Sequence, residues 1–383
     1  MSTTYAPLIV RRVALALLLP LTLTLTLACG QRDTGTVDSG ASASVESVAI
    51  DLNGVGATLP YPLYARWFNE YAAERGVRIN YRSEGSKQGI AAAITGSADF
   101  GATDSSVPDS VLKTANVRLL HIPMAVGAVA ITYHVPGLVR PLRLTPELIV
   151  GLFTGRVRKW NDPQVRSVNP GVELPDLAVR AIFRSDGSGT AGVFNQYFTA
   201  IEPAGIPRLN GVPDVPDAVV RDGNEAVASE VKATPGSVAY LEVVYARQNR
   251  LPAAHIRNAS GRFVSPMPFE IATAAANTLE DRAPLEDEYA DGFRISLINA
   301  RGEQAYPLAA YTWLLIAPTR LSAEKRSALS SFLHWAYEQG SPTASALGYV
   351  PLPTTVAAEV LTRVDRALAC DTCAVGGGPG TVR

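Results

Sequence analysis

Between Phe183 and Thr190 the chain reads FRSDGSGT. This short stretch holds a guanidinium (Arg184), a carboxylate (Asp186), the hydroxyls of Ser188 and Thr190, and the glycines 187 and 189. Glycine lets backbone N–H groups come close to a bound group, and arginine offers a planar fork of donors that suits an oxyanion. If a helix begins here, its first N–H groups are unpaired and lie at the positive end of the helix dipole. Donors of these types at this spacing form a cradle for an anion.

The pair Asp186-Gly187 also reads as a hairpin turn. Residues 191 to 200 decide against it, because Val193, Phe194, Tyr197 and Phe198 recur at helical rather than alternating spacing. The same construction occurs twice more. GVGATLP brings Thr58 and the Leu59 N–H to the head of a helix, and SEGSKQG does so with Ser86. A fourth stretch, DFGATD, ends a strand on Asp104. A carboxylate suits an anion site only if the anion carries a proton to donate. The alternative is that Asp104 merely caps a neighbouring turn.

Each of these loops needs a strand before it and a helix after it, and the pattern supplies them. VAIDLNG, VRINYRS, ADFGAT and LAVRAIF read as strands. YPLYARWFNEYAAERG, SKQGIAAAITG, TAGVFNQYFTA and GNEAVASEVKATPG read as helices, the first with Tyr64, Trp67, Phe68, Tyr71 and Ala72 on one face and Gly76 as its stop. TPELIVGLFTG is a further helix and SVAYLEVVYA begins as a strand. YPLAAYTWLLIA is a late strand and SAEKRSALSSFLHWAYEQG a long amphipathic helix. Strands alternating with helices predict an α/β fold with a mostly parallel sheet. In such sheets ligands sit beyond the carboxyl ends of the strands, where all three loops fall.

With 383 residues, 47% of them hydrophobic, and a formal net charge of −1, the chain is long enough for two domains and lacks the basic excess of a nucleic-acid binder. Arg11 and Arg12 precede an apolar run that ends at Leu27-Ala28-Cys29, the pattern of an export signal over residues 1–28. Cys29 sits where a bacterial lipobox places its lipidated cysteine, although Thr26 departs from the usual Leu; cleavage to a soluble form is the alternative. Residues 29–47 then form a Gly/Ser/Thr/Asp tether with a reach of about 20–25 Å. Cys370 and Cys373 lie in a Gly-rich tail, residues 366–383, and suit a local disulfide better than catalysis or a metal site. No cofactor motif is present.

The stretches GVGATLPYPLYARW, DFGATD, FTGRVRKWNDP, RSDGSGTAGVF, TPGSVAYLEVVYARQN and LHWAYEQG together resemble the periplasmic phosphate-binding proteins of Pst-type ABC importers, over about Val48 to Pro353. The resemblance implies a type II periplasmic binding protein: two α/β domains joined by a hinge, with the ligand cleft between them. Domain I would be discontinuous (48–132 and 307–365) and domain II would run from 133 to 306. Carried over by position, Thr58, the Leu59 N–H, Ser86, Asp104, Arg184, Ser188, Gly189 and Thr190 would hold inorganic phosphate, with Asp186 orienting Arg184. It further implies no enzyme activity, a monomer, permease subunits as partners, and a place at the periplasmic or extracellular face, to which Cys29 adds the expectation of a lipid anchor in the membrane. One stretch departs from the family pattern: Lys87-Gln88 replaces small residues after Ser86. Lys87 would either point outward or add charge to the ligand.

The competing class is an enzyme, a phosphomonoesterase or serine hydrolase acting through Ser188 or Ser86. It would need one of His121, His134, His255 or His334 to reach a serine, and no nucleophile-elbow motif is present. Binding of another oxyanion is a third reading, against which Asp104 weighs in the case of fully deprotonated sulfate.

Overall fold

A computed structural model describes residues 50–201, 215–279 and 293–369. The export signal, the tether, Cys29, Cys370 and Cys373 lie outside the described residues. The strands are β1 (Asp51–Gly56), β2 (Arg78–Ser83), β3 (Phe100–Thr103), β4 (Leu120–Tyr133), β5 (Arg143–Leu144), β6 (Arg180–Arg184), β7 (Val219–Arg221), β8 (Ser237–Glu242), β9 (His255–Arg257), β10 (Phe263–Val264) and β11 (Ala309–Ile316). The helices are α1 (Tyr61–Arg75), α2 (Ser86–Thr95), α3 (Asp109–Ala115), α4 (Pro146–Phe153), α5 (Pro163–Val168), α6 (Gly189–Ile201), α7 (Gly223–Ala233), α8 (Val243–Gln248), α9 (Pro268–Leu279), α10 (Ala323–Glu338), α11 (Ser341–Leu347) and α12 (Thr354–Ala369). None of them is long and apolar enough to cross a membrane. The last helix carries the chain to Ala369, past the boundary at 365 that the sequence suggests.

One sheet runs β2-β1-β3-β11-β4-β8-β6-β7. Its outer strands pair in parallel on both sides, β2 with β1 with β3 and β7 with β6 with β8. Its centre is antiparallel: β3 with β11, β11 with β4, and β4 with β8. The sheet is therefore mixed rather than mostly parallel. The reason lies in β4 and β11, which carry the chain across the middle of the sheet in opposite senses and need no crossover helix between them. β4 is buried along its whole length and changes partner midway. Up to Ala128 it pairs with β11, and from Val129 it pairs with β8. That change falls upstream of residue 132.

Each half of the sheet has its own aromatic packing. Around β1–β3, Tyr64, Trp67, Phe68 and Tyr71 of α1 are buried at the predicted spacing. Phe68 and Tyr71 meet Phe332 of α10 edge to face, each at 5.3 Å between centroids. α1 ends where Gly76 adopts a left-handed conformation, as its sequence position predicts. In the other half, Phe153, Phe183, Phe194 and Tyr240 close into one ring cluster, with Phe194 stacked on Tyr240 at 4.2 Å. The Tyr240 hydroxyl at its edge accepts the backbone N–H of Arg184 at 3.1 Å, so the core reaches the end of β6 and fixes where the arginine emerges.

Candidate anion site

The three loops read from the sequence meet at the carboxyl ends of β1, β2 and β6, and Asp104 joins them from the end of β3. Arg184 is almost fully enclosed, with its side chain 1% exposed. Asp186 takes two of its nitrogens: Nε donates to Oδ1 at 2.8 Å and Nη2 to Oδ2. Nη2 also reaches Thr58 Oγ1 at 3.2 Å, across the site. Nη1 is buried and has no partner among the described residues. A buried, unpartnered guanidinium N–H leaves a strong donor to be satisfied, and an anion would satisfy it.

The hydroxyls share one feature. Each accepts an N–H. Ser86 Oγ accepts from the Asp104 backbone at 3.2 Å, and Ser188 Oγ from the Ala191 backbone at 3.2 Å. Asn224 Nδ2 donates to Thr58 Oγ1 at 2.9 Å and to Thr190 Oγ1 at 3.4 Å. A hydroxyl that accepts keeps its own proton to give. The Thr58 carbonyl accepts from the Tyr245 hydroxyl at 2.9 Å, so the Leu59 N–H, in the same peptide plane, points the opposite way.

Asp104, 2% exposed, supplies the acceptor among these donors. Its Oδ1 accepts from Thr312 Oγ1 at 3.0 Å, and its Oδ2 accepts from Ser86 Oγ at a long 3.5 Å. The neighbouring turn is closed by Thr103, whose Oγ1 accepts the Ser105 N–H at 3.2 Å, so the carboxylate of Asp104 is not its cap. Burial pushes the Asp104 carboxyl up to about 7, against the downward pull of Thr312, Arg184 and Ser86.

Close approach explains the glycines. A Cβ on Gly189 would stand 2.2 Å from Ser86 Oγ and 2.7 Å from Asp104 Oδ2. Gly187 sits at φ +61, and the space beside it is filled by the stem of Lys87, whose N–H donates to the Gly187 carbonyl at 3.0 Å. Lys87 is exposed and covers the rim of the site. Ser105 Oγ lies 3.5 Å from the Gly189 carbonyl. The loops of the two sheet halves are thus in contact around the anion groups.

Asn224, Thr312, Tyr240 and Tyr245 escape the sequence reading. Asn224 had a signal: Asp222-Gly223-Asn224 follows β7 directly and opens α7, a fourth strand–glycine–helix junction of the kind already seen. The others act from distant elements through single hydroxyls, and no local pattern marks them. Of the histidines the enzyme reading needed, His121 is buried, accepts the Val107 N–H at 3.3 Å and is held down to about 3 by burial. His334 instead meets the carboxylate of Asp365, which also accepts from Ser330. Among the described residues neither Ser86 nor Ser188 is hydrogen-bonded to a histidine.

A sheet crossed by β4 and β11, with anion groups gathered from both halves, defines a binding protein of the type II periplasmic class, and residues 35–339 match the family model described as the PBP superfamily domain. The chain is 34% identical to phosphate-binding protein PstS of Xylella fastidiosa strain 9a5c, over 86% of this chain and 90% of the relative. Among solved structures it is similar to the phosphate-binding protein of Stenotrophomonas maltophilia (TM-score 0.63, 19% identity, 82% of this chain and 94% of that one). It is also similar to an ABC-type phosphate transport receptor from Vibrio cholerae (TM-score 0.53, 17% identity, 79% and 100%). The chain belongs to the PstS family of phosphate-binding proteins.

Proposed function

We propose that this protein captures inorganic phosphate outside the cytoplasm and hands it to the permease subunits of an ABC importer. One observation carries the reading: Nη1 of Arg184, without a partner among the described residues, and the donor-ready hydroxyls of Thr58, Ser188 and Thr190 surround a single buried carboxyl, Asp104, with the Ser86 hydroxyl beside it. Many donors and one acceptor match an oxyanion that still holds a proton. Relatives named for phosphate binding and for ABC-type phosphate transport support the same ligand and the same route. Thr58, the Leu59 N–H, Ser86, Asp104, Arg184, Ser188, Gly189 and Thr190 are the ligand groups in this reading, and Asp186 orients Arg184. Calorimetric titration with phosphate, arsenate and sulfate at pH 8 tests it: phosphate and arsenate bind and sulfate does not. Equal binding of sulfate, or heat from none of the three, overturns it.

The finer placement is a lipoprotein on the outer side of a membrane, acting as a monomer. Cys29 after an apolar segment, followed by a Gly/Ser/Thr/Asp tether with almost nothing to bury, motivates it. Labelled fatty acid marks the wild type and not Cys29→Ala; equal labelling of the two, or none in either, refutes the anchor.

A further inference from the structure

Asn224 is wholly buried, 0% exposed, and bonds in three directions. Its Oδ1 accepts the backbone N–H of Glu242 at 3.1 Å. That N–H can only donate, so it fixes which edge of the amide carries the oxygen. The opposite edge is then NH₂, which donates to Thr58 Oγ1 at 2.9 Å and lies 3.4 Å from Thr190 Oγ1. Thr58 Oγ1 already accepts from Arg184 Nη2 at 3.2 Å, so both its lone pairs are taken. Its proton can only be given away, and Asn224 and Arg184, as donors here, cannot receive it.

We propose that Asn224 is a positioning residue of the anion site: its amide, oriented by the Glu242 N–H, sets the hydroxyl of Thr58, and more weakly that of Thr190, to donate toward the ligand. A free hydroxyl rotates between donating and accepting, and an accepting threonine would set its lone pairs against an anion. Asn224 removes that choice before the ligand arrives. It also spans the site, since Thr58 follows β1 while Thr190 opens α6. The same amide therefore links the two halves of the sheet in the arrangement that encloses an anion. This inference rests on the phosphate-binding reading above and assigns a group beyond the ligands named there.

A double-mutant cycle read by calorimetry with inorganic phosphate at pH 8 tests it, using wild type, Asn224→Ala, Thr58→Val and the double variant. In the wild-type background Asn224→Ala weakens phosphate binding by about tenfold. In the Thr58→Val background it costs no more than about threefold, the part carried by Thr190, because the hydroxyl it sets is gone. A purely structural role predicts the same loss in both backgrounds, and that result overturns the proposal. So does a change below twofold in Asn224→Ala. Asn224→Asp, with its fold checked by circular dichroism, gives a second readout: it keeps the volume and the acceptor for Glu242 and turns the donating edge into an ionisable acceptor. The carboxylate then takes the Thr58 proton, and phosphate affinity falls further than in Asn224→Ala, by about a hundredfold or more; binding within threefold of wild type overturns the proposal. Absence of phosphate binding in the wild type would instead refute the functional reading itself.

Discussion

Asp186 grips Arg184 side-on, through Nε at 2.8 Å and through Nη2, and so turns the one nitrogen left over, Nη1, into the free donor of the site. The pair does two things at once. It cancels most of the arginine's charge in a buried place, and it sets the plane of the guanidinium. What remains toward the ligand is a directed N–H rather than a loose positive charge. This division of labour explains why a site for an anion can hold two carboxylates and one cation.

Arg184→Ala removes the free donor and strands Asp186 beside an anion. Charge-assisted bonds contribute about 1.5–3 kcal/mol, and a stranded buried charge adds to the loss. Phosphate affinity should fall by at least tenfold. Arg184→Lys should not recover it, because an ammonium cannot hold Asp186 by two points and still present a directed third donor. A change below threefold in the alanine variant would take Arg184 out of the site.

Asp104 makes sulfate binding depend on pH with a sign that can be worked out. Its carboxyl, pushed up to about 7, is ionised above that pH and protonated below it. Ionised, it faces sulfate lone pair to lone pair; protonated, it donates to sulfate. Sulfate affinity should rise by up to about tenfold per pH unit as pH falls from 9 to 7, then level off. Asp104→Asn should bind sulfate better at pH 8 and show no such slope, while phosphate, which brings its own proton, still binds. If the ratio of phosphate to sulfate affinity is unchanged in the variant, Asp104 is not the discriminator.

Gly189 is the position where closure is tightest. A methyl there would meet Ser86 Oγ and Asp104 Oδ2 well inside contact distance. Gly189→Ala should therefore hold the halves apart and lower phosphate affinity by about a hundredfold or more. Small-angle scattering checks both sides: the wild type shrinks in radius of gyration on adding phosphate, and Gly189→Ala does not. An unchanged wild-type profile would mean that the cleft is closed before the ligand arrives.

Glu242 caps α8, its Oε2 accepting the Val244 N–H at 2.6 Å, and burial pushes its carboxyl up to about 8. In the unfolded chain it ionises near its ordinary 4.5. A raised folded-state value means that its contribution to stability is full below about 4.5 and is lost as pH rises toward 8. Glu242→Gln does not titrate. The melting temperature of the variant relative to wild type should therefore climb between pH 5 and pH 8. A constant difference would show that Glu242 keeps its charge when folded.

The local parts of this structure were legible because they repeat a short logic. Strand, glycine, hydroxyl, helix is readable at Thr58, Ser86 and Ser188, and the α1 face from Tyr64 to Tyr71 is readable from spacing alone. The antiparallel middle of the sheet was not. TWLLI, part of the late strand, is apolar but for Thr312, and MAVGAVAITY, which escaped the sequence reading, is apolar but for Thr132 and Tyr133; such runs carry no sign of strand direction. Thr312 and Tyr240 were equally silent, since a lone hydroxyl in an apolar strand has no period. Asp104 could be placed at the site from the sequence, but its raised carboxyl depends on how deeply the packed fold encloses it.

β4 trades β11 for β8 between Ala128 and Val129 within one continuous strand, so one of the lengths of backbone that join the halves of the sheet runs straight through the change of partner. A rotation there would be magnified with distance, as at the tip of a lever, into a parting of the loops at Lys87 and Gly187. The residues that set how fast phosphate escapes could therefore lie far from any atom that touches it. Gly127, beside the change of partner and pressed against Leu59, is where such remote control of residence time would first be felt.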